Sequence, residues 1–232
     1  GGGEQCRLCG EVLDSAVSHA SCCARGESTR GHYAVVKAVV DGMSVVDPSL
    51  QTEVRGLTTS SDRPADILTA AALPGVLTAL DVTVASQDAV AAGLDACASA
   101  YRRKVTRYSQ IIPQLRRAGI TFQPMVWSAE GRPHPATTRV LECTVQMVGR
   151  KLGQDSVAAF RRKWRHEIGI AIQRRKVAMI RACVPEVGGR RAWLAGHAPE
   201  VARTPPLEEV QLEGIVEAEP DDGGDAFESD VD

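Results

Sequence analysis

Residues 63–84, RPADILTAAALPGVLTALDVTV, read as two apolar runs on either side of Pro74-Gly75, and each run carries one aspartate, Asp66 and Asp81. Two antiparallel strands joined by a tight turn at Pro74-Gly75 place points on either side of that turn opposite one another. The midpoint of Asp66 and Asp81 falls between Leu73 and Pro74, so the two carboxylates are expected as cross-strand neighbours. Like charges in that position repel unless a cation lies between them. A magnesium ion held by Asp66 and Asp81 would remove the repulsion, activate a water and stabilise a pentavalent phosphate. The plainer alternative is two solvated aspartates at strand ends.

Outward from this hairpin the chain alternates short strands and helices. SVV (44–46), TEVRGL (52–57), ADILTA (65–70) and VLTALDVTVA (76–85) read as strands of a meander, and GITFQPMVWSAEG (119–131) supplies another. HYAVVKAVVDGM has Tyr33, Val36, Val39 and Val40 at helical spacing, with Gly42 expected to stop the helix. Residues 87–110 read as one long helix, and 135–152 and 155–182 as two more. The pattern predicts an α/β (α+β) fold, a small mixed and mostly antiparallel sheet flanked by helices. Aromatic residues are 4% of the 232, so the core must be aliphatic.

The net charge of −2 hides an asymmetry. Residues 201–232 hold eleven acids against Arg203 alone, about −10, which leaves the other 200 residues near +8. A basic body suggests a polyanionic partner, and such an acidic tail is expected to be disordered. No apolar run approaches a membrane span, and GGGEQCRLCG lacks a signal-peptide pattern. The expected setting is nuclear or cytoplasmic, neither secreted nor membrane-bound.

Four of the seven cysteines, Cys6, Cys9, Cys22 and Cys23, crowd into the first 23 residues, with His19 among them. In a reducing compartment that clustering points to metal rather than disulfides. Cys6 and Cys9 in a CxxC turn, His19 and either Cys22 or Cys23 make a zinc set, and four protein ligands leave no open position, so the zinc would be structural.

Lys104 lies in YRRKVTRY, where Arg102, Arg103 and Arg107 make a solvated basic face the simplest reading. In a functional reading Lys104 orients the attacking water or neutralises phosphate charge, with Tyr108 one turn further on the same helix face. Arg63, Arg102, Arg103, Arg107 and Tyr108 are the candidate nucleic-acid contacts, and Glu53 is a further possible metal ligand. FRRKWRHEIGIAIQRRK interleaves Phe160 and Trp164 with charge, which suits phosphate contact plus stacking as well as it suits a solvated amphipathic helix.

In order along the chain, these features resemble the C-terminal region of site-specific non-LTR retrotransposon proteins: a CCHC zinc knuckle and a restriction-like endonuclease of the PD-(D/E)XK class, without the reverse transcriptase. CRLC and His19 look like the knuckle, Arg30-Gly31-His32 like the basic, histidine-bearing segment after it, and TEVRGLTTSSDRPADI like the strand and PD element. ALDVTV looks like the second acidic element, YRRKVTRY like the following helix, and PMVWSAEGRPHP like the last strand and its exit. The resemblance runs from Cys6 to about Pro135. It implies DNA nicking with Asp66 and Asp81 as magnesium ligands and Lys104 as a displaced catalytic lysine. In the wider class that lysine stands two residues after the second acid, where this chain has Thr83. Ala65, inserted between Pro64 and Asp66, and a short interval from His19 to Cys22 or Cys23 depart from the family pattern.

The expected layout is a knuckle over 1–30, the endonuclease domain over 31–152, a basic helical extension over 153–200 and the acidic tail over 201–232. Expected partners are DNA or RNA, with a separate reverse transcriptase or element RNA. The competing expectation is a non-catalytic zinc-knuckle nucleic-acid-binding protein that retains a degenerate nuclease fold.

Overall fold

The computed structural model describes residues 5–13, 19–20, 23, 27–58, 64–86 and 94–183. Arg63, Cys22 and the tail expected over 201–232 lie outside them. The described elements are α1 (Glu27–Met43), β1 (Gln51–Thr52), β2 (Ile67–Leu73), β3 (Val76–Ala85), α2 (Ala96–Arg107), α3 (Ile112–Arg117), β4 (Ile120–Ser128), α4 (Pro135–Leu152), a 3-10 turn (Gln154–Ser156) and α5 (Val157–Cys183). No helix among the described residues is long and apolar enough to cross a membrane.

The four strands form one sheet in the order β1-β2-β3-β4. β1 with β2 and β2 with β3 are antiparallel, whereas β3 and β4 run parallel from Leu77 beside Ile120 to Ala85 beside Ser128. Two of three pairings are antiparallel, yet the longest ladder is parallel. A parallel pair needs a crossover connection, and the segment bearing α2 and α3 supplies it.

Sequence and structure part company at several boundaries. Residues 44–46 form a turn, and β1 stops at Thr52 because Glu53 takes a left-handed φ of 52° that breaks the extended chain. Gly42 does not stop α1; an added Cβ there would overlap the Trp164 indole, so the glycine serves close helix packing. α2 begins only at Ala96, where the Asp95 side chain accepts from the N–H groups of Cys97 and Ala98 as an N-cap. Residues 87–93 lie outside the described set.

Strand alternation sorts the side chains onto two faces. Ile67, Leu80, Val82, Met125 and Trp127 join residues of α1, α4 and α5 in the main core. α5 belongs to this core: Trp164, Ile168, Ala171 and Ile172 are buried in it, so the helix expected as an extension beyond residue 152 packs with the domain. On the opposite face Ala79 and Leu68 meet Leu115 and Ile120, and Ala85 and Val126 meet Ala96, Cys97 and Ala100. Small alanines let α2 and α3 approach closely, and Asp81 lies between Ala79 and Ala85 on that same face.

The hairpin register contains the detail that matters most for function. Next to the turn Leu73 pairs with Val76, but further out Thr69 pairs with Thr78, Leu68 with Ala79 and Ile67 with Leu80. β2 therefore carries two surplus residues between Thr69 and Leu73. In the turn's own register Asp66 would align with Thr83; the register past the bulge, continued one residue beyond Ile67 and Leu80, aligns it with Asp81. The turn centre lies one residue later than the midpoint of Asp66 and Asp81, and the bulge offsets that difference.

Buried Asp47 secures this bulge. Its Oδ2 accepts from Ala70 N at 2.8 Å and from Thr69 Oγ1 at 2.6 Å, and its Oδ1 accepts from Ser49 N at 3.2 Å and Ser49 Oγ at 2.7 Å. Thr69 Oγ1 accepts from Ala71 N at 3.0 Å, and Thr144 Oγ1 donates to Ala71 O at 2.8 Å. Burial alone pushes the Asp47 carboxyl up, but the hydrogen bonds from Thr69, Ser49 and Ala70 outweigh it and hold the group below its ordinary value.

Candidate functional site

Asp66 sits at the entry to β2, tied into the sheet by its backbone: its N–H donates to Leu80 O at 2.8 Å and its carbonyl accepts from Glu53 N at 2.9 Å. Its carboxylate reaches toward β3, where Oδ2 accepts from Val82 N at 2.7 Å. The extra Ala65 is absorbed in the small cluster beneath α3. Asp66 stays in phase with Leu68, on the face that carries Asp81.

Asp81 is 5% exposed. Lys104 comes down from α2, and its Nζ donates to Oδ1 at 2.9 Å. The ammonium is also 2.9 Å from Oδ2, too oblique for a hydrogen bond, and buried Oδ2 has no hydrogen-bond partner. Burial is the largest influence on Asp81 and raises its carboxyl to about 6, with the charge of Asp66 adding to the rise and Lys104 and His32 opposing it. The lysine that the sequence displaces to a following helix is thus in direct contact with the second acid.

His32 is a member of the cluster that the residue-by-residue reading did not single out. It projects from α1, and its Nε2 lies 3.3 Å from Asp66 Oδ1. Its only sequence signal was its place in the basic segment after the cysteines. Glu53 is exposed and meets Asp66 through the backbone N–H described above.

Beside Lys104 runs a cleft of about 720 Å³ lined by Thr83, Ser99, Arg102, Arg103 and Arg107 among others, with no acidic residue among the described residues on its walls. Arg102 leans on Ser99 Oγ at 3.4 Å. Tyr108 needs correction as a candidate nucleic-acid contact. It is 6% exposed, it caps the C-terminus of α2 and its ring packs edge-on against Phe122 with centroids 5.1 Å apart, which leaves no face for a base. Phe160 and Trp164 pack tilted against each other, and the Trp164 indole N–H donates to Ala38 O at 2.9 Å inside the core. That tryptophan is a packing residue, and the stacking expected of it on nucleic acid is excluded by its 1% exposure.

A second constellation gathers Cys6, Cys9, His19 and Cys23, whose ligand atoms all lie within 4.8 Å of one another. The Sγ atoms of Cys6 and Cys9 are each 3.9 Å from Cys23 Sγ, and Cys9 Sγ is 3.1 Å from His19 Nε2. A tetrahedral zinc with bonds of about 2.3 Å to sulfur has S···S edges of about 3.8 Å, so the donor set and its spacing fit that ion. Local backbone builds the set. Cys6 N donates to Glu11 O and Gly10 N to Cys6 O in a tight turn closed by the Gln5–Val12 bridge, and Cys23 N donates to His19 O. The three thiols of the set, Cys6, Cys9 and Cys23, are free of disulfides, as is Cys183.

Cys183, at the end of α5, was not foreseen as a neighbour of this cluster; its carbonyl accepts from Arg7 N at 3.0 Å. Burial pushes the Cys6 thiol up, but N–H donors from Leu8 and Cys9, with Cys183 and His19, bring it down to about 6, while burial and the neighbouring Cys6 and Cys23 push the Cys183 thiol up. The arrangement keeps Cys6 a thiolate, the form a metal takes.

No model of a known protein family matches the chain, and no match is found among curated proteins. The functional reading therefore stands on these two constellations.

Proposed function

We propose that the chain is a magnesium-dependent endonuclease that nicks DNA, built on a restriction-endonuclease-like sheet and carrying a zinc knuckle, as in non-LTR retrotransposon proteins. The observation that carries this reading is Lys104 delivered from a separate helix onto Asp81, opposite Asp66, with one Asp81 oxygen buried and unsatisfied. Hard oxygen donors and an orphaned anionic atom fit a magnesium ion, and Asp66 and Asp81 would hold it. Bound there, the ion supplies an activated water and charge neutralisation at phosphorus.

The chain's own groups do the rest. Arg102, Arg103 and Arg107 along the cleft engage the phosphodiester backbone and fix its register without reading bases. Lys104 holds Asp81 in place and offers an ammonium to the non-bridging phosphate oxygens as negative charge grows there. Val82 N–H and His32 fix the orientation of Asp66. A water oxygen bonds to phosphorus, one P–O ester bond breaks, and the departing oxygen takes up a proton. Cys6, Cys9, His19 and Cys23 close a four-ligand zinc set with no open position, a structural role.

One observation favours a second reading, a non-catalytic nucleic-acid-binding module. The Lys104 ammonium already stands 2.9 Å from both oxygens of Asp81, where it neutralises the charge that a metal would. A plasmid-nicking assay with Mg²⁺ separates the two. The native chain is expected to convert supercoiled to nicked circles and Asp81→Ala to lose that activity by at least about 100-fold. Equal conversion by both overturns the assignment, and DNA binding without conversion selects the second reading.

A further inference from the structure

A groove of about 1030 Å³ runs along one face of α5, where the helix meets the turn that carries Arg7. Its basic side chains are Arg7, His166, Arg174 and Arg181; Ile170 and Val177 supply apolar surface between them, and no acidic residue among the described residues lines it. Val177 is 44% exposed, unusual for a valine on a helix whose other face, with Trp164, Ile168 and Ile172, is fully engaged in the core. α5 packs on the α1 side of the sheet, whereas Asp81 and Lys104 lie on the side covered by α2, so this groove is separate from the acid pair.

We propose that the groove binds a single strand of nucleic acid. Cations without acids select a polyanion. Shape then selects among polyanions. A duplex is convex all round and would touch only the rim of a trough one helix wide, leaving the aliphatic floor uncovered. An unpaired strand presents flat, largely apolar base faces to such a floor, and guanidinium planes both stack on bases and pair with phosphates. The lining extends from His166 to Ala182. At about 1.5 Å of rise per residue that is about 24 Å. At about 3.4 Å per nucleotide in one stacked strand the groove takes about seven nucleotides. DNA and RNA share this chemistry. The proposal does not rest on hydrolysis at Asp81.

The test is fluorescence anisotropy on the full chain with labelled oligo-dT and oligo-U of about 12 nucleotides and a duplex of the same length, from about 50 to about 200 mM salt. Arg174→Glu/Arg181→Glu is expected to weaken single-strand binding at least tenfold. Arg116→Glu/Arg117→Glu, with the same change in net charge on α3, is expected to change it less than threefold. Asp81→Ala is expected to bind the single strands as the native chain does, even where it cannot nick. Retention of either oligonucleotide supports the proposal, and the ratio of dT to U affinity identifies the source. Equal losses in the two double variants, or displacement of the oligonucleotide by polyglutamate as readily as by unlabelled strand, overturn it; the latter assigns the groove to an acidic protein segment.

Discussion

Replacing Asp81 by asparagine is expected to stabilise the metal-free protein at neutral pH while abolishing its response to magnesium. The Asp81 carboxyl stands at about 6 rather than its ordinary 3.8, chiefly through burial. A raised carboxyl pKa means that the folded state holds its proton more tightly than the unfolded chain does. Its contribution to stability is therefore complete below about 3.8 and is lost as pH rises through about 6. At pH 7.5 the native protein bears the full cost of an ionised, buried carboxylate, at most about 3 kcal/mol from a shift of roughly two units. Asparagine keeps the shape without the charge. Lys104 then loses its partner, but its side chain is 23% exposed and can hydrate, so the expected net gain is about 1–2 kcal/mol. For a domain of this size that is roughly 2–8 °C in Tm.

The assay is thermal denaturation by circular dichroism in chelator at pH 5, 6 and 7.5, then with about 10 mM Mg²⁺. The gap between variant and native should open as pH rises, and magnesium should raise only the native Tm. The reasoning is refuted if Asp81→Asn melts below the native protein at pH 7.5 without metal, or if the gap is the same at every pH.

The zinc set predicts one zinc per chain by elemental analysis, lost in Cys9→Ser; a metal-free native chain would refute it. Asp47→Ala removes the acceptor shared by Thr69, Ser49 and Ala70; the Ser49 and Ala70 donors are exposed and hydrate, but the buried Thr69 hydroxyl loses its acceptor, at an expected cost of about 1–3 kcal/mol by urea denaturation. Because the Asp47 carboxyl is held below its ordinary value, its contribution is present above that value and fades as the solution is acidified beneath it, so the variant should show a shallower acid transition. Gly42→Ala drives a methyl into the Trp164 indole and is expected to cost about 1–3 kcal/mol, and an unchanged urea midpoint would show that α1 and α5 are less tightly packed than described.

β3 and α4 could be read from the sequence to the residue, because Pro74-Gly75, Pro133 and Pro135 punctuate their apolar patterns. The facing of Asp66 and Asp81 was also legible, but its cause was not. The bulge depends on Asp47, a residue more than twenty positions away whose role no local pattern announces. Gly42 shows the same limit: periodicity cannot distinguish a helix stop from a place where another helix needs room. Trp164 looked like a stacking residue because charges surround it in sequence, yet on a helix those charges occupy the other face; Tyr108 looked like a contact because it follows Lys104 by one turn, yet it ends its helix packed on Phe122. Cys183 and His32 joined their clusters through tertiary packing alone, α5 returning to the N-terminal turn and α1 bringing its first turns to the open end of β2.

The two surplus residues of β2 divide the hairpin into two mechanical zones. The turn at Pro74-Gly75 sets the alignment of its own end, and the bulge sets the alignment of the acid end independently, as a slip joint separates two lengths of rail. Changes in turn chemistry that keep Leu73 beside Val76 should leave the acids where they are. Deletion of two alanines from residues 70–72 would instead slide Asp66 along to face the hydroxyl of Thr83. The two carboxylates would no longer repel across the strands, and with that repulsion would go the reason for a cation to bind there.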